Sequence, residues 1–238
     1  MKLQDKLKHH RHLLVFIVLI FSSAIYAEEK PIYFIYLAGP EVFLPEPVAA
    51  GEENKALIEE LSEASDWPFE LAGLYPLDNE IDDFKTDIDT GLRIYQANID
   101  LMQKADFIAA NMIRFRGPSM DVGTAFEMGY MSGLGKPVFA YYEAEPFYNR
   151  KEDPGIYNQR VIEFYGLDDD AMVDPNGLNI ENFQMSDNLM MIGAMQSGAG
   201  NVTESLEKVV LQIATYLINS HESAPQIQAT QFGQIENP

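Results

Sequence analysis

The sequence predicts an α/β protein with a single domain, built on a parallel, Rossmann- or flavodoxin-like sheet of about five strands with helices on both faces. Short runs of β-branched and aromatic residues alternate along the chain with longer segments whose apolar residues recur three or four apart. Strands separated by helical crossovers pair in parallel and are covered on both sides. Ligands of such sheets bind beyond the carboxyl ends of the strands.

The predicted elements alternate between strand and helix. They are strand 31–39, helix 52–64, a strand before the loop YPLDNE, helix 82–105, strand 105–112, helix 121–134, strand 136–142, and closing helices 187–195 and 203–220. Gly135 is expected to cap the helix that begins at about Asp121. The polar connection 143–186, rich in Asp, Asn and Pro, is predicted to carry a lid or an oligomer contact.

Both ends of the chain are predicted to lie outside the domain. Residues 1–27 combine a cationic start with the apolar run LLVFIVLIF and a small residue, Ala27, at a plausible cleavage point. This pattern is typical of a signal peptide, and the alternative is an uncleaved N-terminal anchor. We therefore expect an exported protein, periplasmic or secreted, whose domain spans 28–220. The polar, Gln-rich segment 221–238 is predicted to be a disordered tail.

The charge of the chain limits its partners. The full sequence carries a net charge of −21, and removal of the leader leaves twelve basic and thirty-six acidic residues. A protein of this charge is repelled by phosphate backbones and by anionic membrane surfaces. We therefore predict no nucleic-acid partner, and no membrane association once the leader is cleaved.

The reactive side chains narrow the chemistry further. The chain has no cysteine, which excludes thiolate nucleophiles and thiolate metal sites. Three of its four histidines lie in the leader, and the fourth, His221, lies at the tail. A Ser-His-Asp device needs a positioned imidazole. An enzyme of this composition is expected to use carboxylates as acid, base and nucleophile, without a metal or cofactor.

The segment PSMDVGTAFEMGYMSGLGKPV, at 118–138, contains the most informative carboxylate. Glu127 lies between Phe126 and Met128, where an ionised group is costly unless it is paired or used. Asp121 lies six residues earlier, so helix geometry alone does not place the two on one face. The simpler role for Asp121 is that of an N-cap, and Asp100 alone is equally explained as an exposed charge at a helix end.

Several blocks of the chain, in this order, resemble the nucleoside 2-deoxyribosyltransferase family. They are IYLAG (35–39), YPLDNE (75–80), NID (98–100), DVGTAFEMGY (121–130) and NLM (188–190). The resemblance runs from Ile32 to about Met195.

This resemblance implies residue roles. Glu127 would be the nucleophile that attacks C1′ of a 2′-deoxyribonucleoside, with Tyr36 hydrogen-bonded to it. Either Asp121 or Asp100 would protonate the leaving base, and the other would orient the sugar and base. The loops at Gly39, Asp78, Glu80 and Gly123 would bind substrate. Asn188 and Met190 would complete the site of a neighbouring copy in a homo-oligomer.

The implied activity is transfer of 2-deoxyribose between nucleobases through a covalent glycosyl-glutamate. The alternatives are a hydrolase of nucleosides or nucleotides on the same fold, and a non-catalytic nucleoside-binding protein. Glu80 stands where the family often has a base-binding glutamine, and the ending ENP has no counterpart of the C-terminal tyrosine that some members use. A signal peptide is unusual for a salvage enzyme.

Overall fold

A single parallel sheet organises the structure, a computed structural model that describes residues 29–143, 155–195 and 202–223. Its strands are β1 (Ile32–Ala38), β2 (Glu70–Leu74), β3 (Phe107–Asn111), β4 (Val138–Tyr141) and β5 (Val202–Thr203). They lie in the order β2-β1-β3-β4-β5, and every pairing is parallel. The predicted fold class is confirmed, and the strand order is the flavodoxin-like one.

Six helices accompany the sheet within the described part of the chain. They are α1 (Pro47–Glu63), α2 (Ile88–Lys104), α3 (Val122–Gly133), α4 (Tyr157–Tyr165), α5 (Leu189–Ala194) and α6 (Leu206–Ser223). No helix in the described ranges has both the length and the apolar character needed to cross a bilayer. Helix α6 extends three residues into the predicted tail. The leader and the rest of that tail lie outside the described residues.

The strands alternate their side chains between two apolar layers, as the pleat requires. Tyr36 of β1 faces a layer with residues of α2, α3 and α5, including Met102, Met128 and Met131. Ile35 and its neighbours on the other face pack against α1 and α6. Both faces of the sheet are therefore covered, and its carboxyl edge is left for a site.

Helix α2 differs from its predicted form in two ways. It begins at Ile88 because Asp87 caps it, accepting a hydrogen bond from the Thr90 amide at 2.9 Å. The apolar stripe predicted over 82–105 consists of Phe84, Ile88, Leu92, Tyr95, Ile99 and Met102, and only Ile99 and Met102 at its C-terminal end are buried. The remaining members are exposed, by fractions of 65 % at Phe84, 84 % at Ile88, 62 % at Leu92 and 50 % at Tyr95.

The connection after β4 contains secondary structure where it is described. Helix α4 lies within it and packs in a small apolar cluster of its own. Arg160 of α4 is 5 % exposed and donates to the Asp187 carboxylate at 2.9 Å and to the Ser186 carbonyl. This ion pair attaches α4 to the segment that precedes α5.

Candidate active site

A carboxylate and a phenol meet at the centre of the predicted site. Tyr36 of β1 is fully buried, and its hydroxyl donates a hydrogen bond of 2.6 Å to Oε1 of Glu127. Helix α3 presents Glu127 to the strand, while Met128 beside it is buried in the core. The interaction joins residues 91 positions apart in the chain. It therefore depends on the packing of α3 against β1.

The surroundings of Glu127 change its proton affinity. Burial raises the pKa of its carboxyl from 4.5 to about 7; the hydrogen bond from Tyr36 opposes this shift, and the nearby charge of Asp121 adds to it. Burial, and then Glu127, raise the pKa of the Tyr36 phenol far above its usual value. Tyr36 thus remains a hydrogen-bond donor, and Glu127 exchanges a proton near neutral pH.

Asp121 caps α3 and also lies within electrostatic range of Glu127. Its Oδ2 accepts hydrogen bonds from the Thr124 amide at 2.9 Å and from the Thr124 hydroxyl at 3.2 Å. A side chain at Gly123 would place its Cβ 2.9 Å from that oxygen. Gly123 therefore leaves room for the cap, and the capping role considered for Asp121 is the one observed.

The second predicted aspartate, Asp100, has a polar neighbour on its own helix. It is exposed on α2, and its Oδ1 accepts a hydrogen bond of 2.9 Å from Gln96. Its described contacts do not include Glu127. Asn98, two residues earlier, has its side-chain oxygen buried with no partner among the described residues. A buried unpaired acceptor is a better candidate for contact with a ligand than a solvated carboxylate is.

The predicted residues of the first two loops serve different purposes. Asp78 accepts hydrogen bonds from the Tyr75 amide at 2.8 Å and from Lys55 at 2.6 Å, which fixes the loop after β2. Glu80 is exposed on the same loop. A Cβ at Gly39 would lie 1.9 Å from Oε2 of Glu41. A side chain at this position would therefore displace the Glu41 carboxyl from its place beside Asn111.

Asn188 is engaged within its own chain. Its side-chain oxygen accepts the Met190 amide at 3.0 Å, so it caps α5, and its Nδ2 donates to Glu181 at 2.8 Å. Met190 is 67 % exposed. The cap presents Met190 outward from the chain.

Two buried carboxyl groups, those of Glu41 and Asp187, were not predicted from the sequence. Glu41 is 7 % exposed in the 3₁₀ turn Pro40–Phe43 after β1, and it accepts a hydrogen bond of 2.6 Å from Asn111 at the end of β3. Asp187 is fully buried. The available signal for Glu41 was a carboxylate between Pro40 and Val42, directly after a predicted strand.

Known proteins resemble this chain in sequence and in fold. A structure titled 2-desoxiribosyltransferase from Leishmania mexicana is 28 % identical, covers 77 % of this chain and 98 % of its own, and superposes with a TM-score of 0.53. An uncharacterized Schizosaccharomyces pombe protein is 24 % identical over 82 % of this chain and 95 % of its own length. The family model for nucleoside 2-deoxyribosyltransferase matches residues 35–190, about two thirds of the sequence. The chain belongs to the nucleoside 2-deoxyribosyltransferase family.

Proposed function

We propose that this protein exchanges the nucleobases of 2′-deoxyribonucleosides through a covalent deoxyribosyl ester on Glu127. The observation that carries the proposal is the hydrogen bond of 2.6 Å between Tyr36 and Glu127 at the ligand-binding edge of the sheet. The buried hydroxyl of Tyr36 holds the Glu127 carboxylate in one rotamer, which suits a nucleophile that attacks a single carbon atom of the substrate. Asp121, beside it, orients the sugar hydroxyls.

The reaction takes place in two displacements. In the first, Glu127 Oε2 forms a bond to C1′ while the C1′–N bond breaks. The electron pair of the C1′–N bond leaves with the base, and a ring nitrogen of the base takes up a proton. In the second, a nitrogen of the incoming base attacks C1′, loses its proton, and releases the carboxylate. Two inversions retain the β configuration. The predicted signal peptide would place this exchange outside the cytoplasm.

The activity is tested by incubating the purified protein with 2′-deoxyinosine, with and without adenine. We expect 2′-deoxyadenosine and hypoxanthine to form in equal amounts when adenine is present, because adenine captures the glycosyl ester. Chromatography of both products checks this. Sustained release of hypoxanthine over many turnovers at the same rate without adenine would contradict transfer and support hydrolysis. Nucleoside binding without turnover would identify a binding protein.

We also propose that a second copy of the chain covers the apolar stripe of α2. The ring centres of Tyr95 and Phe126 lie 6.0 Å apart, and Val122 at the start of α3 is 84 % exposed. The exposed apolar surface therefore continues from α2 onto α3, the helix that carries Glu127. Contiguous exposed apolar surface of this kind marks an interaction site. Its position beside Glu127 suits a partner that lends Met190 to the site.

Leu92→Glu tests this interface. A charge at the stripe cannot be buried against an apolar partner, so we expect the oligomer to dissociate and the exchange rate to fall with it. Light scattering after size-exclusion chromatography measures the mass. Leu211→Glu on α6, where leucine is 43 % exposed, is the matched control and is expected to keep the mass of the wild type. An unchanged mass for both variants would contradict an interface on α2.

A further inference from the structure

A second buried carboxyl lies at the carboxyl edge of the sheet, on Glu41. It is 7 % exposed, and its partner at 2.6 Å is the neutral amide of Asn111. No basic side chain occurs among the contacts described for it. Because a buried carboxylate without a counter-charge is costly, this environment favours the protonated acid.

The hydrogen bonds around Asn111 determine where the acid proton resides. The Asn111 Oδ1 accepts from the amides of Ile113 at 3.2 Å and Glu143 at 3.3 Å, so Nδ2 is the end that faces Glu41. That N–H donates to Oε1. In the neutral acid, Oε1 is therefore the carbonyl oxygen and Oε2, which lies over Gly39, carries the proton.

Tyr75, at the end of β2, supplies an independent indication of a ligand. Its side chain is 3 % exposed, and its hydroxyl has no hydrogen-bond partner among the described residues. After burial, the nearby charge of Glu41 contributes most to raising the pKa of this phenol, and Tyr75 in turn raises the pKa of Tyr36. The unpaired hydroxyl thus lies within electrostatic range of both pairs, Glu41 with Asn111 and Tyr36 with Glu127. A buried hydroxyl in such a position requires a polar partner.

The two carboxyls are both attached to the carboxyl end of β1, Glu127 through Tyr36 and Glu41 through its packing against Gly39. Tyr36, which holds Glu127, and Gly39, which supports Glu41, are three residues apart at the end of β1, roughly 10 Å of extended chain. A nucleoside bound with C1′ at Glu127 would extend its base along this edge of the sheet, where the carboxyl ends of the strands bind ligands.

We propose that Glu41 donates the proton to the leaving nucleobase and that the Tyr75 hydroxyl hydrogen-bonds the same base; this rests on the proposed function. As the C1′–N bond breaks, its electron pair moves into the base, and the Oε2 proton of Glu41 moves to the ring nitrogen that becomes basic. The C1′–O bond to Glu127 forms in the same step. In the return step, the Glu41 carboxylate takes the proton from the incoming base.

The groups that face Glu41 set the pH at which it acts. Burial raises the pKa of Glu41 to about 7; the hydrogen bonds from Asn111 and from the backbone amide of Glu41 itself oppose the shift, and the charge of Glu143 adds to it. Tyr75 and Tyr141 also lie within electrostatic range. The acid loses its proton as the pH rises through about 7, so base release that needs this proton should decline above that pH.

The test compares two donors that differ in their need for a proton. Hypoxanthine must be protonated to leave 2′-deoxyinosine, whereas 7-methyl-2′-deoxyguanosine already carries a positive charge on its base. We expect Glu41→Gln to slow base release from 2′-deoxyinosine by about 10²-fold. We expect a change below about threefold with the methylated donor, after subtraction of its spontaneous hydrolysis. Glu46→Gln, on the same loop and exposed, is the control and should leave both rates unchanged.

Equal losses on the two donors would assign Glu41 a positioning role and overturn the proposal, as would no loss on either. If Glu41→Gln does not fold, the wild type supplies the same test through its pH profiles. The rate of base release is then expected to decline above pH of about 7 with 2′-deoxyinosine but not with the methylated donor. The absence of this difference would overturn the proposal. Turnover of both donors that survives Glu127→Gln would instead contradict the proposed function itself.

Discussion

Glu127→Gln is expected to lower the rate of base exchange by about 10⁴-fold or more, since the amide cannot form the glycosyl ester. Tyr36 can still donate its hydrogen bond to the amide oxygen, so the geometry of the site should persist. The measurement is single-turnover release of hypoxanthine from 2′-deoxyinosine. Glu60→Gln on the exposed side of α1 is the matched control and should retain the rate of the wild type.

The same variant carries a second signature, in stability. The pKa of Glu127 is raised to about 7 in the folded protein, so the folded state holds this proton at pH values where the unfolded state has released it. Stability from this group is therefore present below its unfolded pKa of 4.5 and is lost as the pH rises through about 7. The glutamine has no proton to release. We therefore expect the free energy of unfolding of Glu127→Gln, relative to that of the wild type, to rise by on the order of 2 kcal/mol as the pH is raised from 5 to 8. A variant that loses activity and also unfolds more easily at pH 8 would indicate a structural role.

Asp187→Ala is expected to lower the free energy of unfolding by about 3–5 kcal/mol. Asp187 is fully buried and accepts hydrogen bonds from Arg160 at 2.9 Å, from the Ser119 hydroxyl at 2.6 Å and from the Asn188 amide at 2.7 Å. Its removal leaves the Arg160 guanidinium buried without a counter-charge. It also releases the loop that leads to Asp121, so activity should fall as well. Urea unfolding gives the midpoint and slope that measure the effect.

Two further variants separate the ion pair from general damage. Glu163, whose side chain is 66 % exposed, forms an ion pair with Arg114, and Glu163→Ala should cost less than about 1 kcal/mol. The double variant Arg160→Met with Asp187→Leu should recover part of the loss, because it leaves no buried charge unpaired, although the Ser119 hydroxyl and the Asn188 amide still lack their acceptor. If Asp187→Ala unfolds at the urea concentration of the wild type, the structural importance assigned to this pair is wrong.

The sheet was predictable because its strands are buried on both faces and therefore appear as short apolar runs. Strand β5 was not identified as an element, since Val202–Thr203 is too short to show a period. The spacing of the apolar stripe of α2 correctly predicted a helix. Periodicity does not show whether an apolar helix face packs against the core or against another chain. Leu92 and Tyr95 therefore proved to be exposed.

The site was predictable where its chemistry depends on local context. Glu127 is conspicuous because its immediate neighbours are apolar, and its hydrogen bond to Tyr36 is present in the structure. Asp100 has no such context, and it is solvated on α2. Glu41 and Asn111 are 70 residues apart, and only the parallel pairing of β1 with β3 brings them together. Buried pairs of this kind cannot be derived from spacing in one sequence.

Mass spectrometry of the trapped intermediate tests the central proposal most directly. Wild-type protein is mixed with 2′-deoxyinosine in the absence of an acceptor base, quenched in acid and digested. The account predicts that the peptide containing Glu127 gains the mass of one 2-deoxyribosyl group, that adenine added before the quench removes it, and that Glu127→Gln never acquires it. Turnover with no adduct at any time, or an adduct that fragmentation of the peptides assigns to Asp121 or Glu41 instead, would contradict a glycosyl ester on Glu127.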